Sequence, residues 1–128
     1  MIVGIGTDII EIARIQGSIE RYGEQFVRRV FTNAERAYCE AKSHHARWAS
    51  FAARFAAKEA FSKALGSGIG EYMAWRDVEV VLDNLGRPHL SLSGMISEHL
   101  AASIVHVSLS HSAAYATAVV VLESRNND

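Results

Sequence analysis

The period of the hydrophobic positions changes several times along the chain, and each change marks an element. Met1 to Thr7 is rich in isoleucine and valine and predicts a strand ending at Asp8. Ile12, Ile15, Ile19 and Tyr22 then recur at helical spacing, which predicts a helix from about Ile10 to Tyr22. Gly17 weakens this helix and Gly23 breaks it. Phe26, Val27 and Val30 predict a short helical piece beyond the break. Thr32-Asn33-Ala34-Glu35 has the form of a capping box and opens a helix through about Lys42. The longest helical signal runs from about His45 to Leu65; its middle is alanine-rich and Gly66 is a natural end.

Beyond Gly66 the pattern turns to strands. Gly66-Ser67-Gly68-Ile69-Gly70 reads as a loop, Val78 to Leu82 as a strand, and Asp83-Asn84-Leu85-Gly86 as a turn. Pro88 to Leu92 returns as a second strand, placed at an edge because proline has no N–H to donate. Ser93 can cap a short helix through about Ala102. Ile104 to Leu109 and Tyr115 to Leu122 are two further strands, joined around Ser110-His111-Ser112. The tail from Ser124 to Asp128 is expected to fray. Helices gather in the first half and strands in the second, so the expected class is α+β with an antiparallel sheet, not a doubly wound parallel one.

Composition narrows the picture. A chain of 128 residues with 49% hydrophobic and 21% charged side chains is expected to form one domain, 1–128, around one core. The run from Ala113 to Leu122 is too short for a membrane span and is interrupted by Tyr115 and Thr117. No basic residue precedes the first apolar run, so no signal peptide is expected. Cys39 is alone and can form neither an internal disulfide nor a thiolate zinc cluster; it reads as a small buried or half-buried side chain of a cytosolic protein. The net charge of −1 argues against a generally basic nucleic-acid binder. The charge is uneven, however. Residues 1–64 hold ten Lys/Arg and seven Asp/Glu, hence +3, and residues 65–128 hold three and seven, hence −4. The front half is the better seat for an anionic ligand or an acidic partner.

Three segments carry candidate chemistry. Gly4-Ile5-Gly6-Thr7-Asp8 lacks the third glycine of a dinucleotide fingerprint. It leaves Asp8 either as a cap for the next helix or as a metal ligand fixed by a strand end. In the long helix Phe51, Phe55, Glu59 and Lys63 form one row at i+4, so an acid and a base extend an aromatic stripe. Such a carboxylate wants a cation, either Lys63 or a metal. Arg47, Arg54 and Lys58 align on another side, where they could meet phosphates or simply face solvent. Ser110-His111-Ser112 lacks a nucleophile elbow, and phosphate contact suits it better than hydrolysis.

Taken together, Gly-Ile-Gly-Thr-Asp near the start, Arg-Phe-Ala-Ala-Lys-Glu-Ala-Phe-Ser-Lys-Ala-Leu-Gly-Ser-Gly-Ile-Gly in the middle and Val-Ser-Leu-Ser-His-Ser near the end resemble the holo-[acyl-carrier-protein] synthases. These are the small, single-domain 4′-phosphopantetheinyl transferases. The resemblance implies that fold and a transferase that moves the 4′-phosphopantetheine arm of coenzyme A to a serine of apo acyl carrier protein. The by-product is adenosine 3′,5′-bisphosphate, and the process served is fatty acid biosynthesis. It also implies Mg²⁺ as cofactor and a homotrimer with active sites between subunits. By position, Asp8 and Glu59 match metal ligands, and Lys63 matches a lysine near the reacting phosphate, so these three are the implied catalytic residues. Arg54, Lys58, Gly66, Ser67, Gly68, His111 and Ser112 fall in regions that hold coenzyme A. Arg14, Arg21 and Arg28, with Arg29, would face the acidic carrier protein, although Gln16, Ser18, Glu20 and Glu24 dilute that charge. His44-His45 stands where basic residues could meet the 3′-phosphate. Two competing expectations are a metal-dependent hydrolase of a nucleotide diphosphate and a non-catalytic module gripping an acidic protein or nucleic acid.

Overall fold

The computed structural model describes residues 1–70 and 73–125; the last three residues of the tail expected to fray, 126–128, lie outside the described residues. The chain begins with strand β1 (Ile2–Glu11), then helices α1 (Ile12–Tyr22), α2 (Glu24–Val30), α3 (Asn33–Glu40) and α4 (His44–Leu65). A short 3₁₀ turn (Trp75–Asp77) leads into β2 (Val78–Leu82) and β3 (Pro88–Leu92), followed by α5 (Gly94–His99), β4 (Ser103–His111) and β5 (Tyr115–Ser124). The strands form two antiparallel sheets, one in the order β1-β5-β4 and one a β2-β3 ribbon. The class is α+β, as the order of elements predicted.

Most helix boundaries fall within two residues of the sequence reading. The capping box is real: Thr32 Oγ1 accepts from the Glu35 N–H, and Glu35 Oε1 accepts from the Thr32 N–H at 2.9 Å. Gly66 ends α4 in the left-handed region, with φ of 89° and its N–H on the Ser62 carbonyl. The main differences are at β1 and α5. β1 runs three residues past Asp8, because β5 continues the ladder as far as Glu11 opposite Tyr115. Ile10 therefore points into the sheet core instead of opening α1. α5 stops at His99, short of the expected Ala102; the N–H of Ser103 returns to the Leu100 carbonyl as β4 begins.

The core lies between α4 and the three-stranded sheet. Phe51 and Phe61 of α4 are buried, as are Ala116, Ala118, Val120 and Leu122 of β5. Burying each phenyl ring is worth about 1.5–3 kcal/mol. Phe31 meets Phe51 edge-on, with centroids 4.9 Å apart. The alanines of α4, among them Ala52, Ala56, Ala57 and Ala60, are fully buried and keep the helix surface low enough for strands to lie close.

The closest approach is at Gly4 and Gly6. A Cβ on Gly6 would stand 2.1 Å from the Ala60 carbonyl oxygen, and one on Gly4 would stand 2.2 Å from that of Ala64. The Gly-x-Gly pair thus lets the β1 backbone lie directly on α4. Alternation along the strand then puts Gly4, Gly6, Asp8 and Ile10 on the α4 side of β1.

Candidate active site

That contact between β1 and α4 creates the site. Lys63, one turn beyond Glu59, reaches back over β1 and donates to the Thr7 carbonyl at 3.0 Å and to Asp8 Oδ1 at 3.2 Å. Asp8 is mostly buried, with 15% of its side chain exposed, whereas Lys63 is 54% exposed. A pair this open is worth at most about 1 kcal/mol, so it can yield to a ligand. Asp8 does not cap α1: the residue before that helix is Glu11, which makes no side-chain capping bond.

Asp8 and Glu59 line one cleft of about 320 Å³, together with Arg14 and Ser18 of α1, Phe26 of α2 and Phe55 of α4. Burial first, and then the negative charge of Asp8, hold the Glu59 carboxyl above the usual carboxylate range; Lys63 opposes the shift. Two carboxylates that line one cleft form an all-oxygen pair suited to a hard divalent cation. Among the described residues no group of three His, Cys, Asp or Glu side chains comes together, so any such cation would need further oxygens from water or substrate. A second, larger groove of about 550 Å³ starts at Asp8 and Lys63 and runs over the sheet past Thr7, Ile9, Ser108, Ser110 and Thr117.

Arg54 and His111, far apart in sequence, line a third cleft, of about 270 Å³, with Tyr38, Pro88 and Ser110. Arg54 is 5% exposed. Its guanidinium lies 4.3 Å from the Tyr38 ring centroid, and Nη1 donates to the Ser50 carbonyl at 3.2 Å. Its Nε is buried without a partner among the described residues, an uncompensated donor that an anionic ligand would satisfy. Ser112 turns the chain between β4 and β5, where its Oγ accepts from the N–H groups of Ala114 and Tyr115. Gly66, Ser67 and Gly68 follow α4 just beyond Lys63, and the Ser67 hydroxyl is buried without a partner among the described residues.

Lys58 requires a correction. The row of Arg47, Arg54 and Lys58 does not present three cations to a phosphate. Arg47 folds back onto the carbonyls of Glu40 and Lys42, each at 3.1 Å. Lys58 is wholly buried and ion-paired with Glu35 at 2.7 Å. Helical spacing shows which residues share a side, but not that α3 and β2 cover that side. Burial pushes the Lys58 ammonium below its ordinary range, against the pull of Glu35. Of the arginines expected to meet a partner, Arg14 lies at the acid cleft, while Arg21 and Arg28 are exposed on α1 and α2. Arg21 rests 5.3 Å from the Tyr22 ring. Sequence reasoning missed Phe26, Ser18 and Tyr38 as cleft residues, since their only local signal is helical periodicity.

A family model described as the 4′-phosphopantetheinyl transferase superfamily matches residues 4–120. The chain belongs to that superfamily. It is 48% identical to a holo-[acyl-carrier-protein] synthase of Paramagnetospirillum magneticum, over 98% of this chain and 98% of that protein. Its fold is similar to that of a Bacillus anthracis holo-(acyl-carrier-protein) synthase in complex with CoA (3′,5′-ADP). The TM-score is 0.84, with 44% identity over 97% of this chain and 98% of that one. A Helicobacter pylori holo-[acyl-carrier-protein] synthase in complex with coenzyme A gives a TM-score of 0.83, with 34% identity over 93% and 99%.

Proposed function

We propose that the chain transfers 4′-phosphopantetheine from coenzyme A to a serine hydroxyl of apo acyl carrier protein, releasing adenosine 3′,5′-bisphosphate, in the service of cytoplasmic fatty acid biosynthesis. The observation that carries this reading is the convergence of Asp8 and Glu59 on one cleft, with Lys63 bonded to Asp8 at its rim. The coenzyme A complexes of similar structures support the choice of donor. Asp8 and Glu59 would hold Mg²⁺, whose charge would offset that of the coenzyme A diphosphate.

The remaining steps belong to the chain's own residues. The serine oxygen forms a bond to the phosphorus that carries pantetheine, and the bond from that phosphorus to the bridging oxygen breaks. Charge builds on the phosphate oxygens, so fixed positive groups are the main source of acceleration. Lys63 is exposed enough to swing from Asp8 to those oxygens. Glu59, which shares the cleft with Asp8, is placed to take the serine proton. Arg54, with its unpartnered Nε, and His111 would receive an outer phosphate of coenzyme A. Arg14, Arg21 and Arg28 would meet the acidic carrier protein.

The reading extends to a homotrimer with active sites between subunits. The face of β1 turned away from α4 is bare: Val3, Ile5 and Ile9 are 57%, 65% and 64% exposed. A row of this kind is a strong candidate for burial by another copy. The groove that begins at Asp8 and Lys63 runs across the same face, so a neighbour seated there would border the site.

The test is the mass of apo acyl carrier protein after incubation with the chain, coenzyme A and Mg²⁺. The expected result is a gain of one phosphopantetheine, reduced at least about a hundredfold in rate by Glu59→Gln with the fold intact. No gain in mass rejects the activity, and near-normal turnover by Glu59→Gln removes that residue from the site.

A further inference from the structure

Lys58 carries a charge into the centre of the molecule, and the acid cleft makes no direct use of it. Its ammonium donates to Glu35 Oε1 at 2.7 Å, to the Val30 carbonyl at 2.9 Å and to the Trp75 carbonyl at 3.1 Å. Three donors meet three acceptors, so none is left for a phosphate. Glu35 is equally committed: Oε1 also accepts from the Thr32 N–H, and Oε2 accepts from the Val80 N–H at 2.8 Å. The pair therefore joins α4 to the end of α2, the start of α3, the 3₁₀ turn and β2.

Two of these partners lead to the cleft. Val30 closes α2, the short helix that presents Phe26. The Trp75 ring stacks on Phe55, with centroids 5.1 Å apart and planes at 24°. Phe26 and Phe55 are the aromatic wall of the cleft that holds Asp8 and Glu59. Phe26 also meets Phe31 edge-on, and the Lys58 ammonium lies 5.7 Å from the Phe31 ring centroid. A buried ion pair is a poor source of stability, because desolvation of both ions offsets their attraction. Its distinctive property is direction: it holds named carbonyls at fixed points, which an apolar pair of the same volume does not.

We propose that Lys58 is a positioning residue, whose buried ammonium ties the Val30 and Trp75 carbonyls and the Glu35 carboxylate to α4 and so sets the Phe26–Phe55 wall against Asp8 and Glu59. The inference rests on the transfer reaction proposed above. Lys58 acts through the aromatic wall and touches no substrate; a wall displaced by about 1 Å is enough to spoil the alignment of reacting groups.

The test uses the paired variant Glu35→Gln/Lys58→Met, which removes both charges and so leaves no lone buried ion to unfold the chain. A Trp48→Phe background makes Trp75 the sole tryptophan, since the chain has two. The expected result is cooperative melting, a KM for coenzyme A within about twofold of the parent, and a kcat at least about tenfold lower. Trp75 emission should shift to the red as its ring leaves Phe55. Trp75→Leu, which touches neither charge, provides an independent arm and should reproduce the loss of kcat with KM kept. A tenfold rise in KM with kcat retained makes Lys58 a ligand of coenzyme A and overturns the proposal. Parental kcat in either variant, or Trp75 emission unmoved in the paired variant, overturns it as well. The parent chain is assayed alongside: absence of transfer there overturns the reading of function, whereas transfer by the parent with any of these outcomes in the variants overturns the role of Lys58 alone.

Discussion

At the scale of single residues, small side chains matter as much as charged ones. Gly6 supplies no chemical group, yet it allows α4 to touch β1 and Lys63 to reach Asp8. Gly6→Ala would drive a methyl group against the Ala60 carbonyl, a backbone atom that cannot move without the helix. Overpacking of this kind costs about 1–3 kcal/mol or more. The expected outcome is a lower urea midpoint and a transfer rate that falls further than the stability does, because the strand and helix that carry the site are pushed apart. Gly17→Ala is the control: nothing stands within 4 Å of a Cβ there, and alanine is the better helix former, so the midpoint should hold or rise. Asp8, Glu59 and Lys63 were legible as candidates because acids and bases at strand ends and beside aromatic rows are uncommon. Lys58 was misread because its burial comes from segments distant in sequence.

At the scale of elements, the β2–β3 hairpin shows how a turn is secured without a core. Asp83 accepts from the backbone N–H groups of Leu85 and Arg87 and pairs with the side chains of Arg87 and His89. The hydrogen bond with His89, foremost, and those with Arg87 hold its carboxyl well below the usual carboxylate range. A carboxyl that is harder to protonate when folded favours the folded state above its ordinary value, and this advantage fades as pH falls below about 4. Asp83→Asn should therefore melt at a lower temperature than the parent at neutral pH, and the difference should close in acid; a gap that stays constant with pH would show that the charge is not responsible. The elements themselves were largely readable. Gly23, Thr32-Glu35, Gly66 and the 83–86 turn all punctuate the chain where the sequence placed them. β1 was misjudged because its length is set by its ladder partner β5, not by its own residues.

At the scale of the whole molecule, the unfinished surface is the outer face of the three-stranded sheet. Val3, Ile5 and Ile9 stand exposed in a row on an edge strand, and edge strands with apolar faces invite association. Val3→Lys/Ile5→Lys should leave the protomer folded, since neither side chain belongs to the core. Sedimentation velocity should then show the parent as a trimer and the variant as a monomer, with transfer activity lost together with assembly. A parent that sediments as a monomer and remains active would remove the neighbour from the site. The charge asymmetry between the two halves was visible in the sequence, but the bare face was not. Alternation identifies two sides of a strand and does not say which one a helix will cover.

Local order was readable from the chain alone. Periodicity, capping residues and glycines act over a few positions, so the α+β class, most element boundaries and the motif residues of the candidate site could be named in advance. Which charges meet, and which are buried, depends on segments that come together only on folding. The pairing of Arg54 with Tyr38 and the removal of Lys58 from the surface follow from the packing of α3 on α4, whereas the joining of Asp8 to Lys63 and the convergence of Asp8 and Glu59 on one cleft follow from one other packing event. In that event an alanine-rich helix lies against two glycines of a strand, and the desolvation and proximity it creates cannot be computed from neighbours along the chain.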